Sequence, residues 1–314
     1  MFSRRQFVRA SAAAAGSLLV SPFLSSNYAV AADAKLPPLP GPLLQRPIPS
    51  TGEMIPIIGS GTSGSFNVPV GSDEYENLRH VTKAFFAAGA TIFDTSPNYG
   101  NADTVLGEIL HQDGWREQTF LATKIAADNR QMAEQQWRES QRRLHTDSVE
   151  LLQVHNLRDW KTQLKFANEL KASGKTKYVG VTHYLESGLS EMTHILNTEP
   201  LDFIQIHYSV NAPEAAETVL PLAQEKGVAV LINRAFDDGR LFGVVKNQPL
   251  PDWAAEVEVQ TWAQLFLKFA LSHPAVTAVI PATSKLKHQV DNLGAGTGPM
   301  LNAAQQQQLI TLFR

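Results

Sequence analysis

Short apolar runs recur along the chain, each bounded by turn residues: 57–59, 91–93, 120–123, 149–154, 178–181, 203–206, 228–232 and 278–280. Between them lie stretches whose apolar residues return at helical spacing: 75–88, 133–144, 161–172, 189–196, 215–225 and 259–271. Strand alternating with helix implies parallel strands joined by crossovers, and eight such units close a (β/α)8 TIM barrel. Continuous runs such as Val228-Ala229-Val230-Leu231-Ile232 suit strands buried on both faces. Upstream, Arg46-Pro47-Ile48-Pro49 and Met54-Ile55-Pro56, turning through Thr51-Gly52-Glu53, predict a short N-terminal β-hairpin before the barrel.

One segment argues for a different fold. Gly59-Ser60-Gly61-Thr62-Ser63-Gly64 spells the dinucleotide fingerprint of a doubly wound sheet directly after a strand. Its surroundings do not fit. The third glycine should open a helix, whereas Phe66-Asn67-Val68-Pro69-Val70-Gly71 cannot continue one. The next acidic strand end is Asp94, well beyond the spacing of about 20 residues that the fingerprint requires.

Composition narrows the picture. The 314 residues are 43% hydrophobic and 18% charged with a formal net charge of -3, as in an ordinary globule able to bury a core. No cluster of Lys and Arg marks a nucleic-acid surface, so a small-molecule partner is expected. The absence of cysteine removes disulfides, thiolate metal sites and a cysteine nucleophile together. Ser3-Arg4-Arg5-Gln6-Phe7-Val8, the apolar run 10–20 and the small residues Ala29-Val30-Ala31 look like a twin-arginine signal peptide with its cleavage site. The run is too short to span about 30 Å of hydrocarbon. The chain therefore divides into a signal peptide (1–31), a proline-rich linker (32–43) and the barrel (44–314). The expected location is periplasmic or otherwise exported, reached through the twin-arginine machinery, with no membrane span after cleavage.

In a barrel of this kind chemistry gathers at the C-terminal strand ends. Asp94 ends the second apolar run and Tyr99 follows in its loop; Lys124 ends the third and His155 the fourth. Each alone has an ordinary structural explanation. An acid, a phenol, a lysine and an imidazole at one face in successive units do not. A hydride delivered to a carbonyl carbon leaves charge on oxygen, which calls for a proton donor there. Tyr99 is that donor on this reading. An ammonium about 4 Å away favours phenolate by about three pKa units before burial opposes it, and Lys124 is placed to act so. Asp94 supplies the counter-charge a buried lysine needs, and His155 orients the carbonyl or shares in proton transfer.

These residues, together with Phe93-Asp94-Thr95-Ser96-Pro97-Asn98-Tyr99-Gly100, Ala122-Thr123-Lys124, Leu152-Gln153-Val154-His155-Asn156, Gly180-Val181-Thr182-His183, Ile204-Gln205-Ile206 and Val279-Ile280-Pro281-Ala282-Thr283-Ser284-Lys285, resemble the aldo-keto reductase family from Leu44 to Asn292. The resemblance implies a catalytic tetrad of Asp94, Tyr99, Lys124 and His155. It implies a nicotinamide cofactor whose carboxamide meets Thr182, His183 and Gln205, with Gly61 and Thr62 beside the ring. His183 stands where the family has asparagine, and Asn233 where it has an aromatic ring stacked on the nicotinamide, leaving Arg234 and Phe236 as substitutes. Thr283, Ser284, Lys285 and His288 would meet a 2′-phosphate, and Asp291 and Asn292 the adenine end. NADP is favoured, with NAD the alternative.

A glycosidase would need paired carboxylates, but the fourth and seventh strands end in His155-Asn156 and Asn233. A metal hydrolase would need converging ligands, and no His-x-His ends the first strand. An exported NADPH-binding accessory module with little turnover is the rival from another class. The substrate is expected to be a small carbonyl or alcohol in an open site, handled by a monomer. Phe66, Trp160 and Phe236 are candidate walls, and 237–251 a candidate lid.

Overall fold

The computed structural model describes residues 39–313; the signal peptide and most of the proline-rich linker lie outside them. Strands β1 (Gln45–Pro47) and β2 (Met54–Pro56) form the antiparallel hairpin. The barrel follows as β3 (Ser60–Gly61), α1 (Asp73–Ala87), β4 (Ile92–Asp94), α2 (Ala102–Gln112), β5 (Phe120–Ile125), α3 (Arg130–Arg143), β6 (Val149–Val154) and α4 (Trp160–Ala172). It continues with β7 (Thr176–Thr182), α5 (Leu189–Thr198), β8 (Phe203–His207), α6 (Val219–Lys226) and β9 (Ala229–Asn233). The chain ends through α7 (Arg240–Val244), α8 (Trp262–Leu271), β10 (Ala278–Val279), α9 (Leu286–Gly294) and α10 (Ala303–Phe313).

Strands β3 to β10 pair in sequence order, all parallel, and the bridges Ile58–Val279 and Gly61–Ala282 join the first to the last. That is the closed barrel the periodicity predicts, and it excludes the doubly wound alternative: after Gly64 the chain turns rather than opening a helix. Alternation along each strand then sorts side chains. Inward positions begin apolar, with Phe120, Tyr178, Phe203, Ala229 and Ala278 packed below Ala122, Leu151 and Leu231. They finish polar at Asp94, Lys124, Gln153, Thr182, Gln205 and Asn233. Outward positions join the large core shared with the helices. Ile48 and Ile55 of the hairpin belong to the inner cluster, so the hairpin plugs the apolar end of the barrel. Arg46 fastens it through Val276 O and, at 2.7 Å, Leu271 O.

Helix α2 is absent from the periodicity reading, although Ala102, Val105, Leu106, Ile109 and Leu110 keep helical spacing and are buried. A Cβ at Gly107 would lie 2.0 Å from Arg143 O, so the glycine serves the packing of α2 against the end of α3. The helix expected over 215–225 is split into a 3-10 turn, Glu214–Ala216, and α6, with Pro221 in the first turn of α6 where it costs no helical hydrogen bond. Helix α8 starts at Trp262 rather than 259 because Thr261 caps it by accepting from Gln264 N. The stretch 237–251 is partly helical and includes α7.

Candidate active site

At the polar end the strand termini and their loops enclose a cavity of about 1090 Å³. Its floor is a buried charge pair. Lys124 Nζ, with no solvent exposure, donates to Asp94 Oδ2 at 2.5 Å and to Thr95 O at 2.8 Å. The same nitrogen stands 5.0 Å from the centre of the Tyr99 ring. Asp94 Oδ1 accepts from Gln205 Nε2 at 2.8 Å and from Gln153 Nε2 at 3.1 Å. A buried carboxylate is tolerable when every oxygen is occupied in this way.

Tyr99 reaches the cavity because the loop after β4 folds tightly. Its amide donates to Ser96 O, and Gly100 has φ +66°, where a Cβ would meet Asn67 Oδ1 at 2.4 Å. The ring sits edge-on to His155, with centroids 5.7 Å apart. His155 Nδ1 is engaged by Ser96 Oγ at 3.1 Å, which leaves Nε2 as the atom free for a ligand.

The electrostatics differ from the sequence expectation at Tyr99. Burial pushes its phenol above the ordinary tyrosine range, and although Lys124 pulls downward, Asp94 behind it pushes up again. The site therefore holds a protonated phenol rather than a phenolate. Burial works against the charge on Lys124, but Asp94 and Tyr99 together outweigh it and raise its pKa. His155 is driven down to about 3 by burial, then by the positive charges of Lys124 and Arg158. Its imidazole is neutral at physiological pH.

Of the other expected site residues, Gly61, Thr62, Thr182, Gln205, Arg234, Phe236, Thr283, His288, Asp291 and Asn292 line the cavity. His183, Ser284 and Lys285 do not. The His183 ring packs against Gly188, where a Cβ would lie 2.2 Å from its Nδ1, and that nitrogen accepts from Leu185 N. Ser284 O is held by Asn77 Nδ2, and exposed Lys285 serves as the N-cap residue of α9. Asp291 lines the wall, but Thr261 and Gln264 already occupy its carboxylate. Phe66 is fully buried in the core and Trp160 donates to Glu191, so Phe236 alone of the three expected walls lines the cavity.

Residues that the sequence reading left without a role complete the site: Ser96 and Gln153 beneath it, and Asn156, Tyr184, Phe242 and Trp262 around it. Gln153 was accessible to reasoning, since it lies two residues before His155 on the inward face. Arg234, with φ 52°, is tied to Asp238 Oδ2 at 2.5 Å and lies 5.3 Å from the Tyr184 ring. At this wall Asn233 Oδ1 and Arg234 Nε are buried without any hydrogen-bond partner. Gly61 is required too, because a Cβ there would come within 2.9 Å of Ile280 O.

Among the described residues no group of His, Cys, Asp and Glu is arranged to hold a metal. No helix among them is long and apolar enough to cross a membrane.

Residues 57–309 match the family model of the aldo/keto reductase family. Aldo-keto reductase YhdN of Bacillus subtilis is 28% identical over 220 residues, covering 64% of this chain. The chain spans just under two thirds of that relative, 64% of its length. Aldo-keto reductase str7 of Strobilurus tenacellus is 26% identical over 279 residues, 76% of this chain and 80% of its own. An aldo/keto reductase from Klebsiella pneumoniae, solved in complex with NADP and acetate, superposes with a TM-score of 0.70 at 22% identity, over 83% of this chain and 93% of that one. The chain belongs to the aldo/keto reductase family.

Proposed function

We propose that this member of the aldo/keto reductase family is an NADP-dependent oxidoreductase that interconverts a small carbonyl and its alcohol, with Tyr99 as the proton donor. The observation that carries the reading is the stack of Asp94, Lys124 and Tyr99 beneath the cavity, with the ammonium 5.0 Å from the phenol ring. Reduction needs a hydride at carbon and a proton at oxygen; a reduced nicotinamide supplies the hydride when bound. The chain supplies the rest. Tyr99 holds a proton at the cavity floor, Lys124 stabilises the negative charge left when that proton departs, and Asp94 keeps Lys124 charged. Neutral His155 has Nε2 free to hold the carbonyl oxygen.

The donor set fits a dinucleotide. A cavity of about 1090 Å³ lies just above the usual range of about 300 to 1,000 Å³ for small-molecule sites. Thr283, His288 and Asn292 line it near α9, and Phe236, Phe242 and Trp262 offer flat apolar surface. The unpartnered atoms of Asn233 and Arg234 call for polar groups of a ligand. The Klebsiella pneumoniae relative, solved in complex with NADP, supports that choice.

The proposal includes location. Ser3-Arg4-Arg5-Gln6-Phe7 and the residues after it support twin-arginine export of a folded, nucleotide-loaded monomer to the periplasm. To test both parts, the protein is purified from the periplasmic fraction and any bound nucleotide is released with acid and identified. NADP or NADPH is expected. Finding no nicotinamide nucleotide, and no binding of added NADPH, overturns the reading.

A further inference from the structure

A neutral imidazole carries one ring proton, and the nitrogen that holds it decides whether His155 gives or takes a hydrogen bond in the cavity. Burial and nearby positive charge drive its pKa down to about 3, so the ring is singly protonated at physiological pH. Its Nδ1 lies 3.1 Å from Ser96 Oγ, and the other bond made by that oxygen decides between the two forms.

The loop after β4 turns so that Asn98 N donates to Ser96 Oγ at 3.3 Å. Ser96 has no solvent exposure, and among the described residues His155 is the only other group bonded to its hydroxyl. Were Nδ1 protonated, Oγ would accept from both Asn98 and His155, and the hydroxyl proton would have no acceptor in a buried site. With the ring proton on Nε2, the hydroxyl donates to the Nδ1 lone pair, its oxygen accepts from Asn98, and every group is satisfied. An orphaned buried donor is costly enough to favour this second arrangement about tenfold or more.

We infer that Ser96 is a positioning residue: by donating to His155 Nδ1 it holds the ring proton on Nε2, so that a substrate oxygen meets a second donor beside the Tyr99 hydroxyl. The inference rests on the carbonyl-reduction reading above and gives a task to a residue that does not itself line the cavity. A carbonyl oxygen can only accept, and two donors match it. With the proton on Nδ1 the Nε2 lone pair would face that oxygen and repel it, whereas an alcohol O–H would still find an acceptor.

The test uses the whole protein carrying isotopically labelled histidine, at neutral pH without cofactor or substrate. Long-range proton–nitrogen NMR spectra distinguish a protonated ring nitrogen from one with a lone pair, and the His155 signals are those lost in His155→Gln. The native protein is expected to show Nε2 protonated and Nδ1 accepting a hydrogen bond. A proton on Nδ1 overturns the inference and leaves the functional reading standing. In Ser96→Ala the Nδ1–H form becomes populated and the two ring shifts move toward each other; shifts equal to those of the native protein overturn the inference as well. Should Ser96→Ala not fold, the native spectrum alone decides.

Steady-state kinetics give the second readout. In Ser96→Ala the KM for a carbonyl with NADPH is expected to rise about threefold, as the matching ring form is diluted, while the KM for the alcohol with NADP is unchanged. A merely loosened site would raise both, and a parallel rise, or none for the carbonyl, overturns the inference. If the native protein reduces no carbonyl with NADPH, the functional reading fails and Ser96 loses its substrate role, a result distinct from the place of the proton in the spectrum.

Discussion

The floor and the rim of the cavity are built on opposite principles. On the floor, Asp94, Lys124, Gln153 and Gln205 are buried, and each is hydrogen-bonded to another member of the set, from strands whose register leaves no choice of direction. At the rim beyond β9, Arg234, Asp237 and Asp238 have positive φ, and Asp238, whose side chain is 62% exposed, holds Arg234 from the solvent side. Positive φ in residues with side chains costs backbone energy that the surroundings must offset. The contrast places rigidity where protons move and looser contacts where a large ligand must pass.

The largest expected effect tests whether the floor is dedicated to chemistry. Tyr99→Phe keeps the ring packing with His155 but removes the proton. Carbonyl turnover should fall by about 10²- to 10⁴-fold, while NADPH affinity by titration stays as it was. A fall of less than tenfold would erase the distinction between floor and rim.

Next is the acid side of stability, which reports how dry the floor is. His155 takes up a proton only near about 3 in the folded protein, whereas in the unfolded chain it does so at the ordinary histidine value of 6.5. Its contribution is fully present above 6.5 and is lost as pH falls toward about 3, because the unfolded chain binds the extra proton. The slope amounts to at most about 1.4 kcal/mol per pH unit. Urea unfolding between neutral and acid pH should show a shallower slope for His155→Gln than for the native protein. Equal slopes would mean that water reaches the imidazole.

The smallest effect is expected at the rim. Asp238→Ala removes an exposed partner of Arg234, and a change in unfolding free energy of under about 1 kcal/mol is expected. A loss above about 2 kcal/mol would make the rim as fixed as the floor.

The same contrast explains what could be read from the sequence. Eight apolar runs with polar termini specify a barrel and the face on which Asp94, Lys124 and His155 meet, because alternation in a strand is a local rule. Gln153 obeys that rule as well. The turn of His183 away from the cavity depends on Gly188 lying under its ring, a contact that no local pattern announces. The ion pairs of Arg234 depend on left-handed backbone at residues with ordinary side chains. The protonated state of Tyr99 depends on how deeply the loop buries it, which spacing along the chain does not encode.

The hairpin plug has a bearing on how the molecule folds. Arg46 bonds to carbonyls 225 and 230 residues away, and Ile58 and Gly61 find their second neighbours at Val279 and Ala282. A growing sheet therefore keeps two unpaired edges until its last strand arrives, and loops of that length close slowly. Through that interval the first strand has a single partner, and the half-built barrel is most open to pairing with a neighbouring chain.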